Sequence, residues 1–139
     1  MARIVILGAG ISGHTAATIL KQKLGRKHEV VVVSPNKYYQ WIPSNIWVGV
    51  GAMRIDQVRF ELKPVYDRMK ILFHQARAVA IFPEGSDRHT SPFVRIEYTG
   101  DGEAGRTGEL EYDFRINATG PKLNFEATEG LGPERFSNS

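Results

Sequence analysis

Six consecutive residues, Gly8-Ala9-Gly10-Ile11-Ser12-Gly13, put glycine at the first, third and sixth places of one short loop. That spacing suits the holding of a pyrophosphate by backbone. The first glycine permits a tight turn, the second lets a phosphate approach the main chain, and the third lets a helix pack closely on the preceding strand. Free N–H groups at the helix start, together with the helix dipole, then favour negative charge there. The pattern has meaning only between a strand and a helix. Here Ile4-Val5-Ile6-Leu7 precedes it, and Ala16, Ala17, Ile19, Leu20 and Leu24 follow at helical spacing. The same glycines would also serve a strand-to-helix turn that binds nothing.

The elements that must position this loop can be read outward from it. Arg3 to Leu7 is an unbroken apolar run of the kind buried on both faces of a parallel sheet. A helix over Ile11 to Leu24 ends at Gly25, a suitable C-cap. Glu29 to Ser34 holds four successive valines, a second buried strand that closes a right-handed βαβ unit. Pro35 to Met53, with Tyr38, Tyr39, Trp41 and Trp47, has no clean period and is expected to run over the domain surface. Asp56 is a candidate cap for a short helical segment, while Leu62, Val65, Tyr66 and Met69 give a second helical stripe, with Pro64 tolerable only in a first turn. A third parallel strand is expected at Ile71 to Phe73. Short strands at Ala76 to Phe82, Phe93 to Tyr98 and Glu109 to Phe114 then form an antiparallel meander, and Arg115 to Ala118 returns to the core. Pro121 to Ser139 shows no period.

The nucleotide fingerprint departs from its usual form in one place. The second strand ends in Ser34-Pro35-Asn36, where an acid normally holds the ribose hydroxyls. Ser34 or Asn36 could still hydrogen-bond a ribose, and Lys37 nearby would suit a 2′-phosphate, so the loop alone does not choose among FAD, NAD and NADP. A second segment bears on that choice. Tyr112-Asp113-Phe114-Arg115-Ile116-Asn117-Ala118-Thr119-Gly120 resembles the YDxxxxATG segment of flavoproteins with paired dinucleotide-binding domains. In such proteins this strand and its turn lie beside FAD, and Thr119 can fix the turn through its hydroxyl.

The stretch from Ser34 to Gly51, with Pro121-Lys122-Leu123 after the Ala-Thr-Gly turn, narrows the resemblance. Over essentially its whole length the chain is similar to sulfide:quinone oxidoreductases and the flavoprotein subunit of flavocytochrome c sulfide dehydrogenase. The resemblance implies an α/β, Rossmann-like FAD-binding fold, with residues 1–139 forming the first part of an FAD/NAD(P)-binding domain. The rest of that domain, a second dinucleotide-binding domain and a membrane-binding carboxy-terminal region would lie outside it. It implies FAD contacts at Gly8, Ala9, Gly10, Ile11, Ser12, Gly13, Ser34, Pro35, Asn36, Pro43, Ser44, Ala78, Ala118, Thr119 and Gly120. A complete protein of this kind oxidises sulfide at a redox-active cysteine pair and passes electrons through FAD to a quinone. These 139 residues hold no cysteine. They are therefore expected to be inactive alone, to bind FAD weakly or not at all, and to self-associate through apolar surface that other segments would cover.

Composition limits the alternatives. The formal charge is +3, but its lysines and arginines are scattered, which argues against a nucleic-acid groove. Without that groove, the aromatics between Tyr38 and Trp47 are expected in core or flavin-proximal packing. His14, His28, His74 and His89 share no metal-ligand spacing. Asp67 and Glu61 read as solvated partners of Lys63, Lys70 or Arg68. The start lacks the pattern of a signal peptide and no apolar stretch is long enough to span a bilayer, so the expected location is cytoplasmic or at a membrane periphery. Two other readings stay open: an NADH dehydrogenase-like flavoprotein, and a non-catalytic NADP-binding module using Ser34 and Lys37.

Overall fold

The structure is a computed structural model that describes residues 1–121, 124–127 and 129. Lys122 and Leu123, which the family resemblance uses, and most of the tail therefore lie outside the described residues. The first three elements follow the expected order: β1 (Arg3–Leu7), α1 (Ile11–Leu24) and β2 (Glu29–Ser34). Gly25 closes α1 with a positive φ of 60°, and its N–H donates to the Lys21 carbonyl. β1 and β2 pair in parallel, with Ile4 opposite Val30 and Leu7 opposite Val33.

The excursion that follows contains short elements. β3 (Tyr38–Gln40) pairs antiparallel with β4 (Arg59–Glu61), and between them lie two 3₁₀ turns (Ile42–Ser44 and Ile55–Gln57) and α2 (Asn45–Gly49). Asp56 thus lies in a short helical segment, as expected, but in its first turn, with Arg54 at the cap position; the stripe from Leu62 belongs to a separate helix. That helix, α3 (Leu62–Met69), starts after β4 and carries Pro64 in its first turn, where no intrahelical N–H is required.

One expectation about the sheet is corrected. Ile71–Phe73 and Ala76–Phe82 are not two strands. They belong to a single strand, β5 (Leu72–Phe82), preceded by the buried Ile71. Its first part pairs in parallel with β2, from Val31 opposite Leu72 to Ser34 opposite Gln75. Its second part pairs antiparallel with β6 (Phe93–Tyr98), with a register shift between Ala78 and Ala80. The chain can exchange one partner for the other without a break because β2 turns away after Ser34, leaving the next residues of β5 for another strand. β7 (Thr107–Glu111) completes the meander, and Tyr112-Asp113 then separates it from β8 (Phe114–Asn117), which lies parallel to β1. The final order is β7-β6-β5-β2-β1-β8.

Successive residues of the central strands point to opposite faces, and both faces are covered. Ile4, Ile6, Val30 and Val32 pack beneath α1 and α3 with Ala17, Leu62 and Tyr66. Val5, Leu7, Val31 and Val33 pack instead against Ala76, Val94 and Ile96, so the curling meander covers the second face. This two-sided burial is why β1 and β2 read as continuous apolar runs.

Candidate nucleotide site

The carboxyl ends of β1, β2 and β8 and the middle of β5 converge on one cavity of about 560 Å³. Open parallel sheets bind ligands at such a place, because the loops leaving adjacent strands diverge there. The wall contains the loop Gly8, Ala9, Gly10, Ile11 and Ser12, the turn Ser34, Pro35 and Asn36, the strand residue Ala78, and the turn Ala118, Thr119 and Gly120. Segments more than a hundred residues apart in sequence therefore form one surface.

The glycines have three different physical roles. Gly8 has a φ of 96°, and a Cβ there would overlap the Ala118 carbonyl. A Cβ at Gly13 would overlap the Gly8 carbonyl, so this glycine lies behind the loop and outside the cavity wall. No atom lies within 4 Å of a Cβ placed at Gly10, although Gly10 itself lines the cavity. Protein packing therefore demands the first and the last glycine. The middle one opens onto empty space.

The loop is held from both sides. The Gly8 N–H donates to the Val33 carbonyl at 2.8 Å, and the Ala118 N–H donates to the Leu7 carbonyl at 2.7 Å. Gly10 caps α1 without a side-chain hydrogen bond, and no acid occupies its first turn. The leading N–H groups of α1 thus open toward the cavity with no side chain competing for them. Thr119 fixes the opposite turn: its Oγ1 donates to the Asn117 Oδ1 at 2.9 Å and its N–H to the same oxygen at 3.3 Å.

At the end of β2, Ser34 is buried, and its Oγ accepts a long hydrogen bond of 3.4 Å from the Asn36 N–H. Thr99, just beyond β6, supports this turn from the meander. Its hydroxyl donates to the Pro35 carbonyl at 2.8 Å and its N–H donates to the Gln75 carbonyl at 3.0 Å. Lys37, one possible partner for a phosphate on sequence grounds, is placed elsewhere. Its Nζ lies 5.1 Å from the centroid of the Tyr38 ring, and it is not in the cavity wall.

Pro43 and Ser44 lie in the first 3₁₀ turn and are likewise not in the wall, which takes Ile42 from that turn instead. Sequence reasoning also missed Leu7, Val33, Ala76 and Arg77. The available signal was topological: each lies at the end of its strand or where a strand changes partner.

The aromatic residues of the excursion divide. Tyr39 is buried and packs on His14 and Phe60, with ring centroids 4.9 and 5.0 Å away. Trp41 and Trp47 are 48% and 53% exposed, so of the expected core or flavin-proximal packing the core half holds for Tyr39 and not for these two. His14, one residue beyond the glycine loop, also meets the Tyr66 hydroxyl through Nδ1 at 3.0 Å. Burial pushes the His14 pKa below its ordinary value and raises that of Tyr66. Asp67 pairs with Lys63 at 2.8 Å on the exposed side of α3, in keeping with a solvated ion pair. Among the described residues no helix is long and apolar enough to cross a membrane.

No family model matches the chain. It is 26% identical over 136 residues to the sulfide-quinone reductase of Aquifex aeolicus, covering 98% of this chain and 27% of that protein. It is 27% identical over 135 residues to the mitochondrial sulfide:quinone oxidoreductase of Mus musculus, covering 96% of this chain and 26% of the relative. The chain thus spans about a quarter of the length of the curated relatives it matches. Among solved structures, the sulfide:quinone oxidoreductase of Aquifex aeolicus superposes with a TM-score of 0.71 at 23% identity, covering 90% of this chain and 26% of that one. NDH2 from Plasmodium falciparum, in complex with NADH, superposes with a TM-score of 0.74 at 19% identity, covering 98% and 25%. The sequence likeness is to sulfide-quinone reductases. With these solved structures the chain shares a mixed α/β fold.

Proposed function

We propose that this chain is the first, dinucleotide-binding portion of a sulfide:quinone oxidoreductase-like flavoprotein, and that the cavity receives the adenosine diphosphate part of FAD. The observation that carries this reading is Gly10, whose missing side chain leaves open space between the cavity and the uncapped start of α1. The residues fit the group. The first turn of α1 offers backbone donors and partial positive charge to a pyrophosphate. Ser34 and Asn36 offer short polar groups at the ribose end, and the small residues Ala118 and Gly120 keep the far wall low. Bound FAD would supply the two-electron chemistry.

The chain's own contribution is binding and orientation. The Thr119 hydroxyl and the Asn117 side chain hold the last turn, while the Gly8 and Ala118 backbones keep the two loops in contact. The 139 residues contain no thiol, so sulfide chemistry and delivery to a quinone rest on segments beyond them. The isoalloxazine would likewise need further walls, so the isolated chain is expected to be colourless.

The test is calorimetric titration of the purified chain with ADP and FAD, followed by gel filtration and absorbance at the flavin bands. The expected result is saturable binding of ADP with FAD lost on the column. Stoichiometric retained flavin would overturn the view that the site is incomplete, and absence of binding to either compound would overturn the nucleotide reading.

A further inference from the structure

We propose that His14 is a positioning residue of the nucleotide site, tying the first turn of α1 to the β3–β4 ribbon so that Ile42 is held against the cavity. This rests on the dinucleotide reading and adds to it the device that fixes one wall. β3 and β4 are three residues each and form a two-stranded ribbon that shares no pairing with the six-stranded sheet. A ribbon of that size has little stability of its own and takes its place from side-chain packing. Ile42, two residues beyond β3, is nevertheless in the cavity wall. Where that wall stands therefore depends on what fastens the ribbon to the domain.

The fastening converges on one side chain. The His14 N–H donates to the Gly10 carbonyl at 2.9 Å, which fixes its backbone in the first turn of α1, directly after the glycine loop. Its ring lies 4.9 Å from that of Tyr39 on β3, 5.7 Å from Phe60 on β4 and 5.5 Å from Tyr66 on α3. Tyr39 and Phe60 are opposite each other in the ribbon and stack at 5.0 Å, so His14 meets both strands at one point. Its Nδ1 shares a hydrogen bond of 3.0 Å with the hydroxyl of Tyr66, whose buried ring is anchored in turn against Phe73 of β5. An imidazole here offers an aromatic surface to the ribbon and a polar partner to a buried hydroxyl. An apolar side chain would supply the first and leave the hydroxyl unpaired.

Calorimetric titration of ADP into the whole chain tests this through a double-mutant cycle. His14→Ala and Ile42→Ala are each expected to weaken ADP binding about fivefold, the order seen for residues that act through a packed network. If His14 acts by holding Ile42, the double variant should also lose about fivefold, where independent effects would multiply to about twenty-fivefold. A second pair of changes, His14→Phe with Tyr66→Phe, keeps a ring against Tyr39 and orphans no hydroxyl, so it should bind ADP within about twofold of the wild-type chain. Thermal unfolding of each variant without ligand separates a folding defect from a binding one. Where His14→Ala does not fold, His14→Phe alone, which orphans the Tyr66 hydroxyl, takes its place in the cycle. Wild-type affinity in folded His14→Ala, losses that multiply, or a His14→Phe, Tyr66→Phe variant as weak as His14→Ala would overturn the assignment and leave the dinucleotide reading standing. Absence of ADP binding by the wild-type chain would overturn both.

Discussion

Replacing Gly10 by alanine should separate folding from ligand binding. Gly10 has a φ of −73° and a ψ of −164°, extended backbone that alanine adopts without strain. No atom lies within 4 Å of the added methyl group, so no packing clash arises. The stability cost is then limited to exchanging glycine for alanine at an N-cap, about 1 kcal/mol or less. The methyl would occupy the space through which a pyrophosphate approaches the first turn of α1. Losing two or three hydrogen bonds to a charged group, at about 1.5 kcal/mol each, predicts a fall in affinity of at least a hundredfold. The matched control is Gly8→Ala. That change combines a positive φ with overlap on the Ala118 carbonyl, so it should destabilise the chain by roughly 2–4 kcal/mol. Urea unfolding and ADP calorimetry on both variants give the two readouts. Wild-type affinity in Gly10→Ala, or unfolding of Gly10→Ala as severe as that of Gly8→Ala, would refute the division of roles.

Tyr66→Phe should cost about 1–2 kcal/mol in urea unfolding, because it leaves His14 Nδ1 half-buried without its 3.0 Å partner; no change would remove that bond from the account. Burial lowers the pKa of both His14 and His74 below the ordinary 6.5, so the unfolded chain binds more protons in the window below 6.5. Stability is therefore full above that pH and declines as pH falls toward the folded-state values, and Tm measured between pH 7.5 and 5 should drop less in a His14→Gln, His74→Gln double variant. Thr99→Val should weaken ADP binding severalfold by freeing the Pro35 carbonyl, and Thr99→Ser should restore it; equal loss in both variants would assign the effect to packing. Trp41, Trp47, Ile46 and Phe114 are all about half exposed or more, which predicts self-association rising with concentration. A strictly monomeric light-scattering profile would count against it.

The parts legible in the sequence were those where one local rule decides the outcome. Four consecutive valines cannot form a half-solvated strand, so β2 had to be buried on both faces. Gly8 and Gly13 announced backbone contacts that the structure contains. The continuity of β5 was hidden because a change from parallel to antiparallel pairing leaves no mark on the strand that stays straight through it. β3 and β4 are three residues each, too short for a periodic signal. Aromatic content could not say which of Tyr39, Trp41 and Trp47 turns inward, since that depends on where His14 and Phe60 stand. Arg77 escaped notice for a related reason: its place in the cavity wall depends on neighbours far along the chain.

The pairing of β1 with β8 also bears on the order of events during folding. Ile4 lies opposite Phe114 and Leu7 opposite Asn117, so the second edge of β1 is filled only by a strand far along the chain. Closing so long a loop is entropically costly and slow relative to forming the β1-α1-β2 unit. The Ala118 carbonyl that lies against Gly8 arrives with that strand. The glycine loop can therefore exist early, but its cradle is finished late. A nucleotide bound there would act as a latch on β8, stabilising its docking and slowing its release, and amide exchange along Phe114–Asn117 is where that latch would be seen.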